Sequence, residues 1–433
     1  MEVFGGGARG KCSVDAVRAV HNGPVSLVVQ KFGGTSVADA DRIRAVAEHV
    51  VRTRRAGNDL VVVVSAMGKS TDALLRLAGD VSPAPHKHAR ELDMLVTAGE
   101  RISMSLLCMA ITDLGVPATS FTGSQAGIVT DTTHGKAKIL EVRADRLREG
   151  LAAGHVVVVA GFQGVSTDKQ VTTLGRGASD LTAVALAAEL GATACEIYTD
   201  VTGVFTADPR VVPDARRLST VSYEEMLEIS AAGGKVLALR SVEFARNYHV
   251  ALHVRSSFTW EPGTWVHDEE DSVEKAIISG VVHDTSEAKV TVVGVPDRPG
   301  IAARLFRALA DEAVNVDMIE QNVSLGGVTD ISFTLPMADL PKAEVVTKEI
   351  ADEIGATHVV PDSDIARISL VGAGMKTHPG VAATMFEVLA DEGVNIEMIS
   401  TSSIRISCIV RAGDVERGVR ALHKAFSLQD PPA

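Results

Sequence analysis

The sequence predicts an α/β protein, with a mostly parallel sheet sandwiched by helices, followed by an α+β regulatory region. Three observations predict it. Between Val25 and about Val266, short β-rich runs alternate with longer helical segments. Those strand runs, Val61–Val64 and Val156–Ala160 among them, are apolar throughout, as strands buried on both faces of a parallel sheet should be. From Val290 onward the pattern becomes a repeat of strand, Pro-Gly turn, helix and strand.

The elements follow in order. "SLVVQ" reads as the first strand and runs into "KFGG". The segment "DADRIRAVAEHVVRTRRAG" places Ile43, Val46, Ala47, Val50 and Val51 at helical spacing. "DLVVVVSAMG" is a buried strand ending in a turn. "ELDMLVTAGERISMSLLCMAITDLG" predicts one long helix closed by Gly115. "HVVVVAGFQG" is another strand and glycine turn. "SDLTAVALAAELGA" is a helix of small residues, and "ACEIYTD" is the strand after it. Four strand ends, KFGG, SAMG, GFQG and TDVTG, carry glycine or polar turns, and ligands of open α/β sheets bind beyond such ends. The stretch "SFTWEPGTWVHDEED", residues 257–271, reads as the join to the repeats.

In the repeats, Pro299-Gly300 aligns with Pro379-Gly380, Phe306 with Phe386 and Asn315 with Asn395. Met318-Ile319 aligns with Met398-Ile399. "GVTDISFTL" and "SIRISCIVR" add a further strand to each copy. The domains expected are an N-terminal extension over residues 1–24, an α/β domain over 25–266 and a repeat-containing region over 267–433, with repeats starting near 290 and 368.

At 433 residues the chain is too long for one ordinary core. Hydrophobic residues make up 46% and charged residues 22%, a globular composition. A net charge of −13 argues against nucleic-acid backbones as partners. Cys12, Cys108, Cys195 and Cys408 are far apart and make no C-x-x-C pair, so neither a disulfide framework nor a zinc site is expected, and a reducing cytoplasm fits. The strand runs are too short to span a bilayer, and no membrane partner is expected. No His, Cys or carboxylate cluster suggests a protein-built metal cage.

Lys31 ends a strand beside Gly33 and Gly34. Glycines let backbone N–H groups approach an anion, but the spacing is not that of a P-loop. In-line phosphoryl transfer between two anions needs a neutralising charge, and a lysine there supplies it. Read alone, Lys31 could equally precede an ordinary turn. In "TTLGRGASD", Gly175, Gly177 and Ala178 keep the backbone close to a ligand, and Arg176 offers a planar fork for a carboxylate. Ser179 and Asp180 stand where a helix begins, as anion-site residues or as plain caps. Glu100 lies on an apolar helix and requires a partner, which could be Arg101.

Taken together, KFGGTSV, SAMGKSTD, TAGERIS, FTGSQAG, GFQG, TTLGRGASD, YTDVTGVFTADPR and GGKVLALRSVEFA resemble the aspartate kinases. These are amino-acid kinase folds with a C-terminal pair of ferredoxin-like ACT domains. The resemblance covers about Val25 to Leu428, and is greatest to tandem-ACT enzymes answering to lysine and threonine. It implies the reaction ATP plus L-aspartate to ADP plus 4-phospho-L-aspartate, with Mg²⁺ arriving on ATP. Lys31 is then catalytic, with Arg176 and Asp180. Ser65, Thr71, Glu100, Arg176, Gly177, Ala178 and Ser179 hold aspartate, Glu100 near its amino group. Lys31, Phe32, Gly33, Gly34, Thr199, Asp200, Phe205, Thr206, Ala207, Asp208, Pro209, Arg210 and Lys235 serve ATP. Asp297, Gly300, Ala302, Gln321, Asn395 and Ile396 serve the effector, and ACT units imply a homo-oligomer.

Three features depart from the family pattern. Ser403 stands where a carboxylate is common, Ala382 where a threonine is often seen, and the loop around residues 324–329 is short. They point to a deregulated or specialised copy as an alternative. Two other readings are a kinase for a different carboxylate and a silent amino-acid sensor. The tandem repeats and TAGERIS weigh against the first. The intact Lys31, Arg176, Asp180 and Lys235 weigh against the second.

Overall fold

A computed structural model describes residues 26–259, 261–268, 277–322 and 326–430. The N-terminal extension lies outside them, as do parts of the 257–271 join and of the 324–329 loop. The chain forms two compact units. The first comprises residues up to Val204, Arg217–Ser230 and Lys235–Asp271. The second comprises Phe205–Arg216, Ala231–Gly234 and the chain from Ser272.

The first unit begins with β1 (Leu27–Phe32), α1 (Ala40–Arg55), β2 (Asp59–Val64), α2 (Ser70–Val81), α3 (Ala89–Val96) and α4 (Ala98–Asp113). Then come β3 (Ala118–Phe121), β4 (Ile128–Thr130), β5 (Ile139–Val142), α5 (Asp145–Ala152), β6 (Val156–Ala160), β7 (Gln163–Ser166) and β8 (Val171–Thr173). It closes with α6 (Ser179–Leu190), β9 (Ala194–Thr199), β10 (Thr220–Ser222), α7 (Tyr223–Ala231), α8 (Leu239–Tyr248), β11 (Leu252–Ser256) and β12 (Thr264–His267).

Eight strands form the main sheet in the order β10-β12-β11-β9-β1-β2-β6-β3. Every pairing is parallel except β11 with β12. The chain runs outward from β1 through β2, and later returns to β9 on the other flank. The reversal leaves the crevice between the ends of β1 and β9 as the ligand position of such a sheet.

Alternation along β1 divides its side chains between the two faces. Val28 and Phe32 join the core under α1 and α4, with Val46, Val50, Leu107 and Ile111. Lys31 points to the opposite face, where α6 packs on β1, β2 and β9. All nine residues from Ser179 to Ala187 are buried, because α6 is covered by α8 on its other side. Its alanines permit that close approach. A smaller sheet, β5-β4-β7-β8, stands beside the main one.

The long helix expected through "ELDMLV…ITDLG" is interrupted. α3 ends at Val96 and α4 starts at Ala98. The carbonyl of Thr97 accepts from the Gln163 side chain (3.3 Å), and its hydroxyl turns back to the Met94 carbonyl (3.1 Å). A distant side chain thus takes a carbonyl that the helix would use, a cause invisible along the chain. The stretch Pro85–Asp113 is long and apolar enough to cross a bilayer by length and composition alone, although 44% of its most apolar window is buried within the unit.

The second unit holds β13 (Gly280–Asp284), β14 (Glu287–Pro296), α9 (Ile301–Asp311), β15 (Ile319–Gln321), β16 (Val328–Pro336), α10 (Leu340–Ile354) and β17 (His358–Asp362). It ends with β18 (Ile365–Val371), α11 (Val381–Asp391), β19 (Met398–Thr401), β20 (Arg405–Arg411) and α12 (Val415–Ala425). Two antiparallel sheets result, β15-β16-β14-β17 and β13-β18-β20-β19. β13 precedes the first repeat yet pairs with the second, so the first repeat is inserted within the second. Buried charge joins the two. Arg367 pairs with Glu287 (2.9 Å) and with Asp317, and donates to the Ala231 carbonyl (2.6 Å). The segment from Phe205 is built into this unit. Ala207, Val211 and Val212 enter its core, and Thr206 Oγ1 bonds His423 Nε2 (2.9 Å).

Candidate active site

Three contacts join the carboxyl ends of β1 and β2 to α4 and α6. Lys31 Nζ lies 2.7 Å from Asp180 Oδ1, with both residues under a tenth exposed. Ser65 Oγ donates to Ser179 Oγ at 3.0 Å. The Ala66 N–H donates to Glu100 Oε1 at 3.2 Å. These residues come from four separate stretches of chain. The helix start is capped by neither Ser179 nor Asp180. The N-cap of α6 is Ala178, without a side-chain cap, and both polar side chains are spent on Ser65 and Lys31. The capping alternative therefore does not describe them.

Glu100 is buried on α4 and makes no ion pair with Arg101 among the described residues. Its Oε2 is buried with no hydrogen-bond partner. Burial pushes its carboxyl up to about 7, against the lowering effect of backbone hydrogen bonds from its own residue and Ala66. An added cation at Oε2 would reverse that shift.

The glycines act differently from one another. A Cβ on Gly33 would sit 3.4 Å from Lys31 Nζ, so Gly33 keeps the space at the amine open. A Cβ on Gly34 would sit 2.9 Å from the Ala66 carbonyl, so this glycine lets two turns pack together. Gly161 of GFQG does likewise for α6, where a Cβ would lie 2.7 Å from Ser179 Oγ. Phe32 is buried and stacked on Tyr198, ring centroids 4.8 Å apart. Its side chain packs the core, which leaves its backbone as the part that faces the end of β1.

Arg176 is exposed, and its Nη2 stands 3.3 Å from Asp72 Oδ1. Gly177 and Ala178 follow it into α6, and Thr71 lies beside Asp72 in the first turn of α2. Thr199 ends β9, with its hydroxyl bonded to Asp200 (3.2 Å). Lys235 is exposed. Phe205, Thr206, Ala207, Asp208, Pro209 and Arg210 belong to the second unit. There Thr206 and Ala207 are buried, and Arg210 Nη2 pairs with Asp208 Oδ2 at 2.6 Å.

In the repeats, Asp297 and Gly300 are exposed in the loop opening α9, and Gly300 takes φ 92°, a left-handed conformation that favours glycine. Ala302 packs on the first repeat's core. Gln321 is exposed at the end of edge strand β15. Asn395 is exposed and Ile396 half-buried before edge strand β19.

Sequence reasoning missed two residues here. Arg240 on α8 donates to the carbonyls of Leu174 (2.7 Å) and Ala137 (3.1 Å), pinning the start of the glycine loop. Asp93 on α3 is buried and ligates the same neighbourhood. The short helix is amphipathic and also carries Arg90 and Glu91, so nothing along the chain set Asp93 apart.

The amino acid kinase family model matches residues 26–256, and ACT domain models match 289–355 and 368–426. The aspartokinase of Mycolicibacterium smegmatis is 59% identical over 409 residues, covering 93% of this chain and 97% of the relative. The aspartate kinase of Pseudomonas putida is 51% identical over 408 residues, covering 94% and 99%. Among solved structures, E. coli aspartokinase III in complex with aspartate and ADP (R-state) matches with TM-score 0.77 at 26% identity, covering 92% and 99%. Its complex with lysine and aspartate (T-state) matches at 0.72 and 27%, with the same coverage.

Proposed function

The chain belongs to the aspartate kinases of the amino acid kinase family, and from that premise we propose how its site works. The reaction transfers the γ-phosphoryl group of ATP to the side-chain carboxylate of L-aspartate, giving ADP and 4-phospho-L-aspartate. It opens the route to lysine, threonine, methionine and isoleucine, and amino acids regulate it through the ACT domains. The observation that carries the mechanism is the Lys31–Asp180 pair at the end of β1, beside the space left by Gly33.

ATP enters with Mg²⁺, its phosphates toward Lys31 and Gly33. Aspartate lies with its reacting carboxylate in line. That carboxylate is ionised near neutral pH, so no general base is needed. Catalysis is alignment and charge neutralisation, with Lys31 meeting the charge that develops in flight. Asp180 holds the ammonium in place. Arg176 leaves Asp72 to take aspartate's α-carboxylate, Ser65, Thr71 and Ser179 surround the substrate, and Glu100 Oε2 takes the α-ammonium. Thr199, Asp200 and Lys235 serve the nucleotide. The reaction is a cytoplasmic one.

An ADP-release assay with aspartate, glutamate and acetylglutamate tests the substrate, and turnover of aspartate alone is expected. Run with lysine and threonine, separately and together, it also tests the effector. Asp297, Gly300, Ala302, Gln321, Asn395 and Ile396 would hold an amino acid, but Ser403 leaves lysine's side-chain ammonium without a carboxylate. Weak inhibition by lysine is expected, and strong inhibition by lysine or by the pair at low millimolar concentration would count against this. β15 and β19 are sheet edges, and pairing of such edges with a second copy would give a homo-oligomer.

Glu100 gives a pH signature. It must ionise to hold the ammonium, and its carboxyl titrates near 7 in the free protein. The aspartate KM should therefore fall roughly tenfold between about pH 6 and about pH 8. Glu100→Gln should raise that KM and flatten its pH dependence. For stability the sign is opposite. The raised value favours the folded state below the ordinary carboxylate range, and this contribution is lost as pH rises through about 7.

A further inference from the structure

We infer that Asp93 is a positioning residue for aspartate recognition, acting through Thr173 on the glycine loop that carries Arg176. The inference rests on the reading of residues 174–180 as the aspartate loop. Asp93 lies on α3 and is 2% exposed. Four donors converge on its carboxyl group. Oδ1 accepts from Thr173 Oγ1 at 2.6 Å. Oδ2 accepts from the N–H groups of Thr173 and Gly135, both at 3.2 Å, and faces His134 Nδ1 at 2.7 Å.

The loop needs such an anchor. Gly175 (φ 102°) and Gly177 (φ 75°) adopt left-handed conformations and bring no side chain to stiffen it. Its course is then set by what holds its ends. At the far end, Ser179 and Asp180 are held by Ser65 and Lys31. At the near end, Asp93 grips Thr173 and Arg240 grips the Leu174 carbonyl. Arg176 lies between and is exposed. Asp93 also ties the turn at Gly135 to β8, so α3, the turn and the loop start move together. The carboxyl group touches none of the residues assigned to ATP, so its loss should fall on one substrate only.

Asparagine at this position keeps the shape but offers one acceptor oxygen where the carboxylate offers two. Its NH₂ group must turn either to the Thr173 hydroxyl, reversing that bond, or to the backbone N–H pair, and the negative charge facing His134 is lost in both cases. Steady-state kinetics of the full chain carrying Asp93→Asn should show kcat/KM for aspartate reduced about tenfold to a hundredfold, while the ATP KM stays within about twofold. Equal losses for both substrates, or none for aspartate, would overturn the inference. Where Asp93→Asn does not fold, Thr173→Val removes only the hydroxyl bond, and a rise of about threefold or more in the aspartate KM is expected. An unchanged value would overturn it. Arg176→Ala separates the two levels. A raised aspartate KM there with a normal Asp93→Asn defeats the role of Asp93 alone. An unchanged aspartate KM in Arg176→Ala defeats the loop assignment and this inference with it.

Discussion

Lys31→Ala is expected to lower kcat about a thousandfold while the ATP KM rises no more than about threefold. The asymmetry follows from where the amine sits. Lys31 is held 2.7 Å from Asp180, at the end of a central strand, with Gly33 keeping the space beside it open. An ammonium pinned in that way is spent best on charge that appears only during transfer. On the proposed reading, ground-state ATP has other partners for its phosphates. Removing Lys31 also leaves Asp180 as a buried carboxylate without its cation, which under the proposed placement of ATP adds to the loss. Lys31→Ala/Asp180→Asn should therefore recover part of the activity, and a double variant worse than Lys31→Ala would argue that Asp180 acts directly on substrate. Equal losses in kcat and ATP affinity would show that Lys31 is a ground-state anchor.

Glu196→Gln is expected to destabilise the first unit by about 3–5 kcal/mol, seen as a Tm lower by roughly 10 °C. Glu196 is buried on the face of the sheet opposite Lys31. It accepts from Gln30 Nε2 (2.8 Å) and Tyr198 OH (3.0 Å), with Arg255 Nη1 at 3.3 Å and His253 Nδ1 at 3.7 Å. Burial alone would raise its pKa, but the interaction with His253, the charge of Arg255 and the bond from Gln30 outweigh it and hold the carboxyl at about 2. Glutamine leaves Arg255 without a counter-charge in a largely buried position. A double-mutant cycle with Arg255→Met should show strong coupling, the double variant being less destabilised than the sum of the singles. The depressed value also fixes the acid limb. This stability is present above the ordinary glutamate range and is lost as pH falls from about 4.5 toward about 2. Additive single effects, or a Tm that does not move, would remove the pair from the account of what holds β1, β9 and β11 together.

Particular elements show how far the chain could be read without its structure. The strand ends carrying Lys31, Ser65 and Gly161 were legible because an apolar run ending in glycine is a local signal. So was α6, whose Ser179-Asp180 start stands out against a run of alanine and leucine. The family resemblance implied that Ser179 holds aspartate and that Asp180 orients Lys31 or the substrate amine, but the residue pattern alone left plain capping open beside it. Capping and ligation use the same residue types at the same place, and only the approach of Ser65 and Lys31 separates them. Gly34 looked like a phosphate-approach glycine, and the contact it relieves is with the Ala66 carbonyl. The break at Thr97 depends on Gln163, 66 residues away.

From the sequence by itself came the alternation of elements, the parallel sheet, the two regulatory repeats and the residue types gathered at the strand ends. Each is periodic or contiguous along the chain, because burial of one face or both imposes its pattern on neighbouring residues. Only the tertiary structure decided which side chains meet. Asp93 finds Thr173 across 80 residues, Gln30 finds Glu196 across 166, and β13 crosses the first repeat to pair with the second. Such pairings depend on where the sheet order and helix packing carry each segment, and no spacing along the chain encodes that distance.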